Sequence, residues 1–123
     1  MPTLDLIDLS GNKVAAADFQ GRNTLLLFWN PVCGFCRQML QDLKHWETHP
    51  PPHAPALLLV STGSIEDNLV MQLHSRVAVD ETLLAGPAFG AHGTPMGVLV
   101  DAQGRIASDV VAGARAVMAL ANA

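Results

Sequence analysis

The chain has 123 residues, half of them hydrophobic and 15% charged, with a formal net charge of −4. That length suits a single domain over 1–123 that buries roughly 65–70% of its unfolded surface, and the composition excludes a disordered or solvating segment. The charges form no like-signed run, which excludes nucleic acid as an expected partner, and the longest apolar runs, residues 25–29 and 54–60, fall far short of the roughly 20 residues that span a bilayer.

The opening residues 1–5 carry neither the positive n-region nor the apolar h-region of a secretory signal. Residues 3–9 are apolar apart from Asp5 and Asp8, and Ser10, Gly11 and Asn12 supply turn chemistry before Lys13 and Val14, which predicts a small N-terminal β-hairpin. Residues 15–20 predict one helical turn ended by Gly21. Thr24, Leu25, Leu26, Leu27, Phe28 and Trp29 show no alternation, the pattern of a central strand buried on both faces.

Pro31 cannot continue a strand's hydrogen-bond ladder, so the chain should turn there and release Cys33 at the strand's carboxyl end. From 35 to 47 the apolar residues Phe35, Met39, Leu40, Leu43 and Trp46 recur at helical spacing and predict an amphipathic helix. The proline-rich stretch 49–55 predicts an extended surface connector. A second buried strand over 56–60 closes at Ser61, Thr62 and Gly63, and Ser64 is the expected N-cap of a helix reaching about Leu73. Residues 76–80 read as a short strand, followed by a helical piece and a glycine-rich approach over 86–93. Residues 95–100 predict a strand, 101–104 a turn, 105–107 the returning arm of a hairpin, and 113–121 a terminal helix. Right-handed crossovers make the first strands parallel and the hairpin antiparallel, giving an α/β fold with a mixed central sheet flanked by helices.

The chain's two cysteines, Cys33 and Cys36, stand where the buried strand gives way to the helix. Two cysteines so spaced at a helix start can close a small disulfide, the first sulfur outward and the second buried one turn on. Unpaired amides and the dipole at the helix N-terminus favour a thiolate at Cys33, and Arg37 is expected to add positive charge. Attack by Cys33 on a partner disulfide, resolved by Cys36, is the chemistry this arrangement predicts. The two sulfurs carry both electrons, so no cofactor is implied. No second cysteine pair completes a structural zinc site, and the five histidines are scattered, although His92 lies three residues before Pro95.

Residues 28–36 resemble the strand, active-site loop and helix start of the thioredoxin superfamily, in its TlpA/ResA-like branch of thiol-disulfide oxidoreductases. Residues 89–95 resemble that family's second landmark. The resemblance implies a cis Pro95 packed against the cysteines, with the Thr94 backbone offered to an extended partner chain. It also implies protein dithiols or disulfides as partners, an electron donor, a monomer, and a periplasmic or otherwise extracytoplasmic location. Leu27 and Met39 stand where relatives carry acidic residues that tune the second thiol, while Val32 and Phe35 replace a common Trp and Pro. Gly34 and Phe35 between the cysteines influence the redox potential; the expected direction leans to reduction. Phe35 with Trp29 is expected to frame a shallow apolar docking surface.

Two rival functions share such a fold. A peroxiredoxin-type peroxidase carries Thr or Ser three positions before its cysteine, where this chain has Asn30. A copper-binding or delivery module would use Cys33, Cys36 and His92, since soft thiolates suit Cu(I). A redox-inert binding domain with two reduced cysteines is a third.

Overall fold

The computed structural model describes residues 1–122. Its strands are β1 (Ile7–Asp8), β2 (Thr24–Trp29), β3 (Ala56–Ser61), β4 (Arg76–Val79), β5 (Met96–Val100) and β6 (Val111–Ala112). Its helices are α1 (Gly34–Thr48), α2 (Ile65–Val70), α3 (Ala85–Ala88) and α4 (Ala114–Ala121), with a 3-10 turn at Ala16–Phe19. The strands make one open sheet in the order β1-β4-β3-β2-β5-β6. β2, β3 and β4 run parallel, and β5, β6 and β1 are antiparallel to their neighbours. This is the mixed sheet flanked by helices that the pattern of apolar runs predicts.

All six residues of β2 are buried, because successive side chains leave opposite faces of the sheet and each face is covered. Leu26 and Phe28 enter one cluster with Phe19, Val60, Phe89 and Val98. Leu25, Leu27 and Trp29 enter the other, where α1 contributes Cys36, Met39, Leu43 and Trp46 and α4 contributes Val117 and Ala121. β2 is paired along its length, parallel to β3 from Thr24↔Ala56 to Trp29↔Ser61 and antiparallel to β5 from Thr24↔Val100 to Phe28↔Met96. With no free edge and no exposed face, the strand is a rigid mount for whatever follows Trp29.

The peripheral elements differ from their sequence patterns in three places, each with a local cause. The N-terminal hairpin is reduced to an Ile7↔Lys13 bridge, while β1 itself pairs with β4. Asp8 organises its turn by accepting from the Ser10 and Asn12 amides at 2.9 Å, and its other oxygen accepts from Arg76 Nε at 2.8 Å. α2 stops at Val70, short of the expected Leu73, because Met71 is drawn into the core and Gln72 takes a φ of 54° that leaves the helical path.

The returning arm after β5 begins at residues 105–107 as expected, with the Asp101 amide donating to the Arg105 carbonyl and the Ala107 amide to the Leu99 carbonyl, both at 2.8 Å, but it runs on beyond them. A single Val100↔Ile106 bridge starts it, and the Ser108 hydroxyl then accepts from the Leu99 amide at 2.9 Å, in place of a backbone carbonyl. Continued in register, that bridge would set Val110 against Met96; Ala112 stands there instead, so the arm bulges before β6 resumes the ladder.

Leu27 is fully buried in the cluster that also holds Cys36. Leu27→Ala should therefore lower stability by about 2–5 kcal/mol, read as a drop in the denaturant midpoint at unchanged slope.

Candidate functional site

Asn30, Pro31, Val32 and Cys33 join β2 to α1. The Asn30 side chain accepts from the Val32 amide and its carbonyl accepts from the Cys33 amide, both at 3.0 Å. This Asx turn suits Asn followed by Pro, since Asn supplies the local acceptor and Pro needs no partner for a missing N–H. Cys33 is the N-cap of α1, with extended backbone angles (φ −71°, ψ 130°), and its carbonyl accepts the first helical hydrogen bond, from Arg37 at 2.9 Å. Its sulfur sits against amides that no earlier turn of helix can satisfy.

One turn on, Cys36 heads the apolar stripe of α1, followed by Met39, Leu43 and Trp46, and is completely buried. Cys33 is only half-buried, and both residues are free thiols. The same three-residue spacing thus places one sulfur at the surface and the other in the core.

The two environments drive the thiols apart. The Cys36 amide, with help from Thr94 and the Phe35 amide, pulls Cys33 below the ordinary thiol range. The Cys33 thiol also lies 3.7 Å from the Thr94 carbonyl, a contact that suits the neutral form, but the amides outweigh it. Desolvation pushes Cys36 up to about 11. The Arg37 guanidinium, expected to add positive charge, is not among the leading influences on either sulfur; at Cys33 the Cys36 amide and Thr94 come first.

Opposite the helix N-terminus, the Thr94–Pro95 peptide is cis, Pro95 is buried, and Thr94 is half-buried at the head of β5. The structure therefore brings Cys33, Cys36, Thr94 and Pro95 together. Gly34 and Phe35 lie exposed on the first turn of α1, and nothing surrounds the space a side chain at Gly34 would take. Phe35 is 70% exposed and Val32 is 64% exposed, so an exposed apolar pair flanks Cys33 in the chain.

Trp29 is a correction. Expected beside Phe35 at the surface, it is fully buried on the sheet face under α1, and its Nε1–H donates to Met71 Sδ at 3.0 Å. An odd-numbered position in β2 points to that face, which β2 alone did not reveal. Leu27 and Met39 are also buried there, leaving apolar side chains where an acidic tuner would stand.

The copper reading loses its third ligand: His92 is exposed, and among the described residues no three His, Cys, Asp or Glu side chains come together as a metal site. Asn30 spends its side chain on the turn, with no hydroxyl to offer a peroxide. Sequence reasoning missed two features. One is Val32 as an exposed apolar neighbour; the other is a cavity of about 170 Å³ beside the proline loop, lined by Phe28, Val60, Leu83, Pro87, His92 and Thr94 among others. Neither has a sequence signal, since both depend on which loops meet.

No protein-family model matches the chain, and no curated protein does. Solved structures do. A protein of Neisseria meningitidis assigned as a thioredoxin is 30% identical, with a TM-score of 0.72 over 91% of this chain and 78% of that one. The thioredoxin domain of a thiol-disulfide oxidoreductase from Bacteroides vulgatus is 24% identical, with a TM-score of 0.70 over 98% of this chain and 94% of that one. A secreted disulfide oxidoreductase of Mycobacterium tuberculosis, homologous to DsbE of E. coli, shares the fold at 20% identity and a TM-score of 0.70 over 88% and 81% of the two chains. By its fold, its cysteine pair and its identity to the Neisseria protein over most of both chains, this chain belongs to the thioredoxin superfamily, in the company of thiol-disulfide oxidoreductases.

Proposed function

We propose that the protein exchanges disulfides with protein partners through Cys33 and Cys36, in the reducing direction and outside the cytoplasm, as a TlpA/ResA-like monomer. The observation that carries this is the pairing of a half-exposed, acidified Cys33 at the tip of α1 with a buried, weakly acidic Cys36 one turn on.

In the first step the Cys33 thiolate attacks one sulfur of the partner's disulfide. An S–S bond forms between Cys33 and the partner, the partner's own S–S bond breaks, and its second sulfur leaves as a thiolate. That step removes the charge on Cys33, which is one of the causes raising Cys36. Cys36 then gives its proton to the departed partner thiolate and its sulfur attacks Cys33; the Cys33–partner S–S bond breaks, and the partner's first sulfur leaves as a thiolate that takes its proton from solvent. The products are the 33–36 disulfide and a partner dithiol, two electrons having passed to the partner. An external dithiol restores the reduced pair.

Val32 and Phe35 offer the partner an apolar footing beside the sulfur, while Gly34 keeps the approach open. Thr94 and Pro95 present a backbone edge for an extended segment, and Trp29 supports Cys36 from within the core. The reducing direction is supported by the modest means of thiolate stabilisation. Amides and Thr94, not a cation, lead in stabilising Cys33 as a thiolate, whereas strong oxidants rest on a heavily stabilised thiolate. The secreted Mycobacterium protein supports the extracytoplasmic location.

Three outcomes test this reading. The rate of Cys33 alkylation should follow a titration centred below the roughly 8.5 of a free thiol, falling as pH drops through it, while Cys36 stays unmodified across neutral pH. Cys36→Ser should accumulate a mixed disulfide with a protein substrate and Cys33→Ser none, as read on non-reducing gels. Equilibration with glutathione should place the couple at or below about −180 mV; a value near −120 mV would reverse the assigned direction.

A further inference from the structure

The turn between β3 and α2 meets the active-site loop at a point where no side chain fits. A Cβ built on Gly63 would stand 2.4 Å from Pro31 Cγ and 2.5 Å from Pro31 Cδ. Carbon atoms attract at roughly 3.5 Å, so any other residue here would drive the two apart by about 1 Å. A proline ring, closed on its own backbone nitrogen, cannot swing aside as a flexible side chain would.

Of the two partners, the Gly63 side is the better anchored. Ser61 is fully buried, and its carbonyl accepts from the Asp80 amide at 2.7 Å. The Thr62 amide donates to the Trp29 carbonyl at 3.0 Å, which ties the turn to the end of β2. Beyond Gly63, Ser64 caps α2 by accepting from the Asp67 amide, and the buried Asn68 side chain donates to the Ser64 carbonyl at 2.7 Å. The loop that carries Pro31 is held by the small Asn30 turn. Crowding at this contact therefore displaces Pro31, and with it Val32 and Cys33.

We propose that Gly63 is a positioning residue: by leaving room for the Pro31 ring, it seats the active-site loop so that the Cys33 sulfur stays over the first amides of α1. The proposal rests on the exchange reading given above. It assigns to a residue 30 positions downstream of Cys33, with no atom of its own at the sulfur, a share in setting thiol reactivity. The amides that acidify Cys33 act at hydrogen-bond range, so a loop shift of this size weakens them.

The test is a double-mutant cycle on the full chain with Gly63→Ala and Pro31→Ala, reading Cys33 alkylation against pH and the glutathione equilibrium, with circular dichroism as a check on folding. Gly63→Ala alone should move the alkylation profile to higher pH and slow the reaction about threefold or more on its acidic side. In the Pro31→Ala background, which lacks both ring carbons of the clash, Gly63→Ala should change neither readout. A Gly63→Ala profile that superimposes on the native one overturns the proposal, as does an equal loss in both backgrounds. Should Gly63→Ala unfold, a folded double variant that matches Pro31→Ala supports the proposal, and a double variant that also unfolds overturns it. A native Cys33 no more reactive than a simple thiol would instead bring down the exchange reading, and this one with it.

Discussion

Everything at the cysteine pair depends on β2 being buried on both faces and paired on both edges. A strand in that position cannot shift without breaking two ladders and opening two apolar clusters. Its carboxyl end is consequently a fixed point from which the chain must turn, and Asn30 and Pro31 make the turn without asking the sheet for further hydrogen bonds. Cys33 inherits its position from Trp29 through three residues. Cys36 inherits its position from the stripe that clamps α1 to the same sheet face. Rigidity of the scaffold thus becomes accuracy of the site.

The difference between the two sulfurs follows chiefly from helix geometry, with Thr94 adding to it at Cys33. Three residues along α1 carry the chain nearly one turn, enough to pass from unpaired amides at the tip to the apolar flank. At the tip, dipoles stabilise a charge; on the flank, desolvation penalises one. Leu27 and Met39 share the buried cluster of Cys36, and among the described residues no acidic side chain belongs to that cluster. The charge on Cys33 is one of the causes that hold the proton on Cys36, so the two sulfurs are electrostatically linked.

The central part of this fold was legible in the sequence because it is dictated by period and composition. Unalternating apolar runs at 24–29 and 56–60 read as doubly buried strands, and the helical spacing from Phe35 to Trp46 read as α1. Cys33, Cys36 and their placement at the strand-to-helix join were legible for the same reason. Where a tertiary contact overrides a local pattern, reading stops. The end of α2 depends on where Met71 goes, the returning arm depends on a hydroxyl from Ser108, and the outlook of Trp29 depends on which sheet face α1 covers. The approach of Gly63 to Pro31 is longer in range still. A glycine after a strand looks like ordinary turn chemistry until the second loop is brought against it.

The bond between the Trp29 indole and the Met71 sulfur has a consequence for a protein that trades in sulfur oxidation. A thioether is itself oxidisable, and a sulfoxide in a packed interior introduces a polar, chiral group where none fits. Met71 is buried in the same cluster as Cys36, with one of its two lone pairs engaged by the indole N–H. The half-exposed Cys33 sulfur is open to oxidants from solvent, whereas the sulfur whose damage would split the core lies buried.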